Sequence, residues 1–185
     1  MTSKACNVRS CILGAAIVAV LIVGWIAMAP AQPVAVLVLP EASGTVSDVL
    51  VLPLDIQDVE GAEAIDIRVV FDSTVVRPDS LRLGDFGEQI QASWGANTIG
   101  DTLRIAFATV DGGYVGSGTL VTIEWELTGA GTSALHFERI VLERDDRGTR
   151  VELPARGDDG SVAVAPVAVE TGTWGRVKHR FTRTP

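Results

Sequence analysis

The chain has 185 residues, two cysteines and a formal net charge of −8. The charge is uneven: residues 1–31 carry Lys4 and Arg9 and no acid, residues 32–169 carry 22 acids against nine arginines, and residues 170–185 are net basic. An acidic body argues against nucleic acid as a partner, because phosphates are repelled, and the only cysteines, Cys6 and Cys11, precede the body, which therefore has no disulfide or thiol chemistry.

Residues 1–31 read as an export segment. Lys4 and Arg9 form a positive start, and residues 12–29 are an uncharged, largely apolar run. Ala29-Pro30-Ala31 offers small residues for cleavage before Gln32. Ala27-Met28-Ala29 is the other candidate, with Pro30 unfavourably placed after it. As a leader helix the run is roughly 27 Å long, so an uncleaved membrane anchor competes with a cleaved signal peptide. Either way the body is delivered outside the cytoplasm, and a membrane is touched only through this segment, if it stays uncleaved.

What remains after leader and tail, about 130 residues, suffices for one domain. Residues 34–39 read as a short strand. Residues 40–47 read as a loop with Gly44 at its turn. Residues 49–56 alternate, with Leu50, Leu52, Leu54 and Ile56 on one face. Pro53 cannot donate to a ladder, which predicts an edge or a bulge there. Residues 58–61 read as a turn. Ala64 to Asp72 alternates cleanly: Ile65, Ile67, Val69 and Phe71 face a core, while Asp66 and Arg68 face water.

A turn and an extended segment through Leu81 and Leu83 follow, broken at residues 84–87. Ile90, Ala92 and Trp94 predict a strand, and residues 97–101 a hairpin-like connection. Leu103, Ile105 and Phe107 alternate again. Residues 111–118 hold four glycines and read as a loop. Val121, Ile123, Trp125 and Leu127 share a face, which places Trp125 in the core, as phase also places Trp94. Residues 129–133 read as a turn. Leu135 and Phe137 are out of phase with Ile140 and Leu142, which predicts a bulge near Glu138 and Arg139. Turns at residues 145–148 and 158–160 flank short final strands. Residues 166–173 read as a linker before a short basic tail. Trp174 and Phe181 in that tail suggest a docking or surface-retention segment for something acidic.

About nine short strands with regular turns and no convincing amphipathic helix predict an all-β, jelly-roll β-sandwich over residues 32–165. The order of pieces over residues 34–164 resembles a cohesin domain, a jelly-roll module of secreted bacterial proteins. The second strand with its acidic turn, the strand ending in Phe71-Asp72, residues 103–109 ending Ala-Phe-Ala, and the strand after the glycine-rich loop carry the resemblance. One departure is Ser73, where the family usually has proline.

The resemblance implies a non-catalytic module that holds a dockerin-type protein through one sheet face. It also implies that Asp66 occupies a family contact position, with Arg68 beside it and Thr109 near a second. The rival readings are a carbohydrate-binding module and a structural envelope domain. Polysaccharide binding needs exposed aromatic platforms, and Tyr114, in the glycine loop, is the one ring expected to be exposed. No enzyme is expected. His136 stands alone in the body, and paired acids such as Glu124 with Glu126 read as solvated surface. No cofactor or metal site is expected. The acidic turns admit calcium, but no loop has the spacing of a specific calcium site.

Overall fold

The computed structural model describes residues 33–89, 93–109 and 112–167. The leader, the cleavage site and the basic tail lie outside the described residues. So do Ile90 and Ala92.

The chain forms β1 (Ala35–Val38), β2 (Glu41–Thr45), β3 (Val49–Ala62), β4 (Ala64–Val70), β5 (Val76–Leu83), α1 (Asp85–Gln89), β6 (Ser93–Ile99), β7 (Thr102–Ala108), β8 (Tyr114–Leu127), β9 (Gly131–Asp146), β10 (Thr149–Leu153), β11 (Ala155–Asp158) and β12 (Gly160–Ala165). One sheet has five strands in the order β11-β1-β3-β8-β5. The other has seven, β2-β12-β9-β4-β7-β6 with β10 paired to β9. The two inner faces enclose one apolar core, as the jelly-roll reading requires.

β4 is central in its sheet, antiparallel to β7 on one side and β9 on the other. Ile65, Ile67, Val69 and Phe71 are all buried, and Asp66 and Arg68 point outward, as the alternation predicts. Phe71 meets Trp125 of the opposite sheet edge-on, ring centroids 5.3 Å apart. Trp94 is half-buried and stacks on Phe107 at 6.3 Å. The predicted bulge is present: Arg68 faces Arg139, Val69 faces Phe137, and Glu138 is the extra residue.

Pro53 is also explained. β3 lies inside its sheet, but β1 pairs only with Asp55–Gln57, so Pro53 has a ladder partner on the β8 side alone, opposite Thr122. A register shift follows directly, between Leu54 and Asp55. The turn at Phe71-Asp72 does without proline because Asp72 holds it. Its Oδ1 accepts from the Thr74 amide at 2.9 Å and hydroxyl at 2.6 Å, and these bonds pull the Asp72 carboxyl below its ordinary pKa.

Five expectations need correction. Twelve strands form among the described residues, rather than about nine. Residues 41–45 are not loop but β2, which pairs parallel with β12. Residues 58–61 do not turn the chain; β3 runs through them to Ala62, with the left-handed Asp58 and Gly61 absorbed as bulges. The β6–β7 connection is only Gly100-Asp101, since Ile99 already pairs with Thr102. Finally, the glycine loop is short: β8 starts at Tyr114, opposite Ala62 of β3.

Tyr114 is therefore not exposed but 2% accessible. Further along the same strand Gly116 and Gly118 take positive φ and leave room for α1. A Cβ on Gly118 would stand 2.8 Å from Phe86 Cβ, and one on Gly84 would stand 2.3 Å from the Thr119 carbonyl oxygen. Asp85 Oδ1 fastens α1 by accepting from the Thr119 amide at 3.0 Å.

Two outcomes follow from this packing. Gly84→Ala forces backbone apart and lowers stability by about 1–3 kcal/mol in chemical denaturation. Burial pushes the Tyr114 hydroxyl up to about 12, so above the ordinary tyrosine value of 10.0 the unfolded chain loses that proton before the folded one does. Stability therefore falls with rising pH in that window, and Tyr114→Phe removes this part of the alkaline slope. Because the Tyr114 hydroxyl has no hydrogen-bond partner, the same substitution leaves neutral-pH stability unchanged or higher.

Candidate binding face

The outer face of the seven-stranded sheet is built by parity. Each residue of β4 that points away from the core lies between outward residues of β7 and β9. Ala64 stands between Ala108 and Glu143, Asp66 between Ala106 and Val141, and Arg68 between Arg104 and Arg139. The bulge at Glu138 sets the last of these, because it restores phase so that Ile140 points in and Arg139 out.

Asp66 is held on this face by Arg104. Arg104 Nε donates to Oδ1 at 2.9 Å and a terminal amine donates to Oδ2 at 3.1 Å. This fork geometry is bidentate. The hydrogen bond and charge of Asp66 raise the pKa of Arg104. The Asp66 side chain keeps 21% of its surface exposed, against 54% for Arg104. The carboxylate is thus oriented, reachable and partly neutralised. The two residues border a shallow depression of about 290 Å³ that also touches Ala106, Arg139, Val141 and Glu143. Glu143 in turn accepts from Arg150 at 2.9 Å.

Thr109 lies just past β7, where its amide donates to the Glu63 carbonyl at 2.9 Å. It borders an adjoining depression with Ala64, Glu143, Asp145 and Arg150. Asp66 and Thr109 thus border adjoining depressions that share Ala64, Glu143 and Arg150, Arg68 is the next outward residue after Asp66 on β4 and borders neither, and Tyr114 is buried. Arg104 and Arg139 were missed in the sequence. Their signal was present, since each is an outward position of an alternating strand, but only strand pairing puts them beside Arg68.

His136 is not isolated. Its Nδ1 sits 2.6 Å from Asp159 Oδ2, on an exposed part of the β9–β12 border. Partial burial opposes ionisation of Asp159, but the Phe137 amide and His136 outweigh it and lower its pKa. Among the described residues no group of three or more His, Cys, Asp and Glu side chains could hold a metal ion. None of the described aromatic side chains is exposed.

This architecture has counterparts of known structure, and they are cohesins. A non-cellulosomal cohesin from the hyperthermophilic archaeon Archaeoglobus fulgidus superposes with a TM-score of 0.63 at 12% identity, covering 82% of this chain and 100% of its own. A type I cohesin from Pseudobacteroides cellulosolvens gives 0.62 at 16% identity, over 74% of this chain and 96% of its own. A type I cohesin–dockerin complex from Clostridium thermocellum gives 0.62 at 17% identity, over 72% of this chain and 100% of that one. No protein-family model and no curated protein sequence matches the chain. The likeness defines the fold: the body is a cohesin-like β-sandwich.

The Asp66–Arg104 pair lies at the surface with the Arg104 side chain 54% exposed, so it contributes little to stability. Asp66→Asn is expected to shift the denaturation free energy by no more than about 1 kcal/mol. A double-mutant cycle with Arg104→Gln measures the coupling. A loss several times larger would make the pair structural.

Proposed function

We propose that this protein is an extracytoplasmic, non-catalytic binding module that holds a dockerin-type protein partner on the outer face of β4, β7 and β9. The observation that carries this reading is the cohesin-like fold, shared with proteins whose structures include cohesin–dockerin complexes from Clostridium thermocellum and Acetivibrio cellulolyticus. Two further features support it. The face is open, with shallow depressions and an oriented carboxylate, as suits a protein surface better than an enclosed small-molecule site. The apolar leader with its positive start supports delivery outside the cytoplasm.

Polysaccharide is the weaker partner class. With Tyr114 and Trp125 buried and the half-buried Trp94 stacked on Phe107, the described surface offers no fully exposed ring for sugars to stack on.

The test is binding of the full chain to a panel of calcium-loaded dockerins and to insoluble polysaccharides. A dockerin is expected to be retained, and Asp66→Ala is expected to weaken it roughly tenfold without unfolding the chain. Retention on polysaccharide with no dockerin bound would sink this reading. Unchanged affinity in Asp66→Ala would remove Asp66 from the contact surface.

A further inference from the structure

The same face carries an arrangement that the stability of the sandwich does not require. Arg68 stands directly opposite Arg104 on one side and Arg139 on the other. Three outward arginine positions thus form one row across three neighbouring strands. Like charges placed opposite each other on a sheet destabilise it. The five-stranded sheet shows the ordinary alternative: Arg77 stands opposite Glu126 and donates to it at 2.6 Å, and Arg82 donates to Glu124 at 2.6 Å.

The row is under-compensated. Asp66 engages Arg104. Among the described residues, Arg68 and Arg139 have no ion-pair partner, and the Arg68 Nε is buried without a hydrogen-bond acceptor. This cationic row sits in a body with 22 acids, whose nine basic residues are all arginine and none lysine. Arginine is the cation whose planar fork matches a carboxylate, so the residue type agrees with the placement.

We propose that the Arg104–Arg68–Arg139 row reads carboxylates on an acidic segment of a partner protein. The proposal rests on the reading of this face as a protein-binding surface, and it assigns the charge of what binds there. The spacing is suitable. Neighbouring strands lie about 4.8 Å apart, close to the roughly 5.4 Å advance of one helical turn. Acidic side chains one turn apart on a partner helix can therefore meet successive arginines. Ala106 and Val141, next along the strands, are short enough to let such an element approach. An incoming carboxylate places negative charge against the row, so binding offsets the repulsion built into the free face.

The experiment uses the full chain and three probes: a helical peptide with glutamate at every fourth position, its glutamine counterpart, and polygalacturonate. The glutamate peptide is expected to bind, at least roughly tenfold tighter than the glutamine peptide, and to weaken as salt rises. Arg68→Gln and Arg139→Gln each weaken it roughly tenfold, whereas Arg77→Gln on the other sheet has no effect. Arg68→Gln leaves the melting temperature unchanged or raises it, and Arg68→Lys, which keeps charge without the fork, restores binding only in part.

Equal binding of the two peptides, binding that survives both arginine substitutions, or preference for polygalacturonate over the peptide would each overturn the proposal. If Arg68→Gln unfolds the chain, the exposed Arg139→Gln variant decides by the same criterion. The dockerin panel separates the two readings. Dockerin binding that survives both substitutions overturns the arginine row and leaves the module's function standing. Glutamate-peptide binding lost with the arginines, with no dockerin bound, supports the row and overturns the dockerin reading.

Discussion

The sandwich depends on the parity of one strand. β4 is paired along its whole length on both sides, and its inward residues Ile65, Ile67 and Val69 are sealed from water. A slip of one residue would bury Asp66 and Arg68 and expose those three. Its neighbours must respect that phase. β7 does so without irregularity. β9 does so only by inserting Glu138 as an extra residue, which keeps Phe137, Ile140 and Leu142 all on the core side. The same insertion turns Arg139 outward beside Arg68. A requirement of the core thus determines the chemistry of the surface.

That surface differs from the rest of the protein in how it handles charge. Elsewhere several arginines meet acids across or along the strands, as Arg77 meets Glu126 and Arg156 meets Asp158. On the β4 face three arginines occupy opposed positions, with Asp66 next along β4 between Ala106 and Val141 and paired to Arg104 alone. Departures from local rules of this kind concentrate where a fold carries its function. The face is also the one that carries the outward Asp66, oriented by Arg104, so the carboxylate and the arginine positions share one side of the sheet.

Much of the fold was legible because its long strands are amphipathic. β4, β7 and the second half of β8 each present three or more inward aliphatic or aromatic residues at period two, and even the bulge in β9 showed as a phase slip. What stayed hidden has no such signal. β2 reads Glu-Ala-Ser-Gly-Thr, and it is a strand because β12 offers it a parallel ladder. The start of β8 reads as loop because glycines interrupt it, yet those glycines serve to admit Phe86 of α1. Tyr114 was misplaced for the same reason. A glycine says that backbone freedom or space is needed, and not what fills the space.

The candidate site divides in the same way. Asp66 and Arg68 were identifiable from one strand, since alternation alone states which residues leave the core. Arg104 and Arg139 lie 36 and 71 positions further along the chain, and nothing local connects them to Arg68. The sequence by itself determined the all-β class, the core faces and the outward position of Asp66, because side-chain direction in a strand is a local property of period two. Only the tertiary structure decided which outward residues become neighbours, because strand order and register arise from long-range pairing that no single strand encodes. The row of three arginines exists at that level alone.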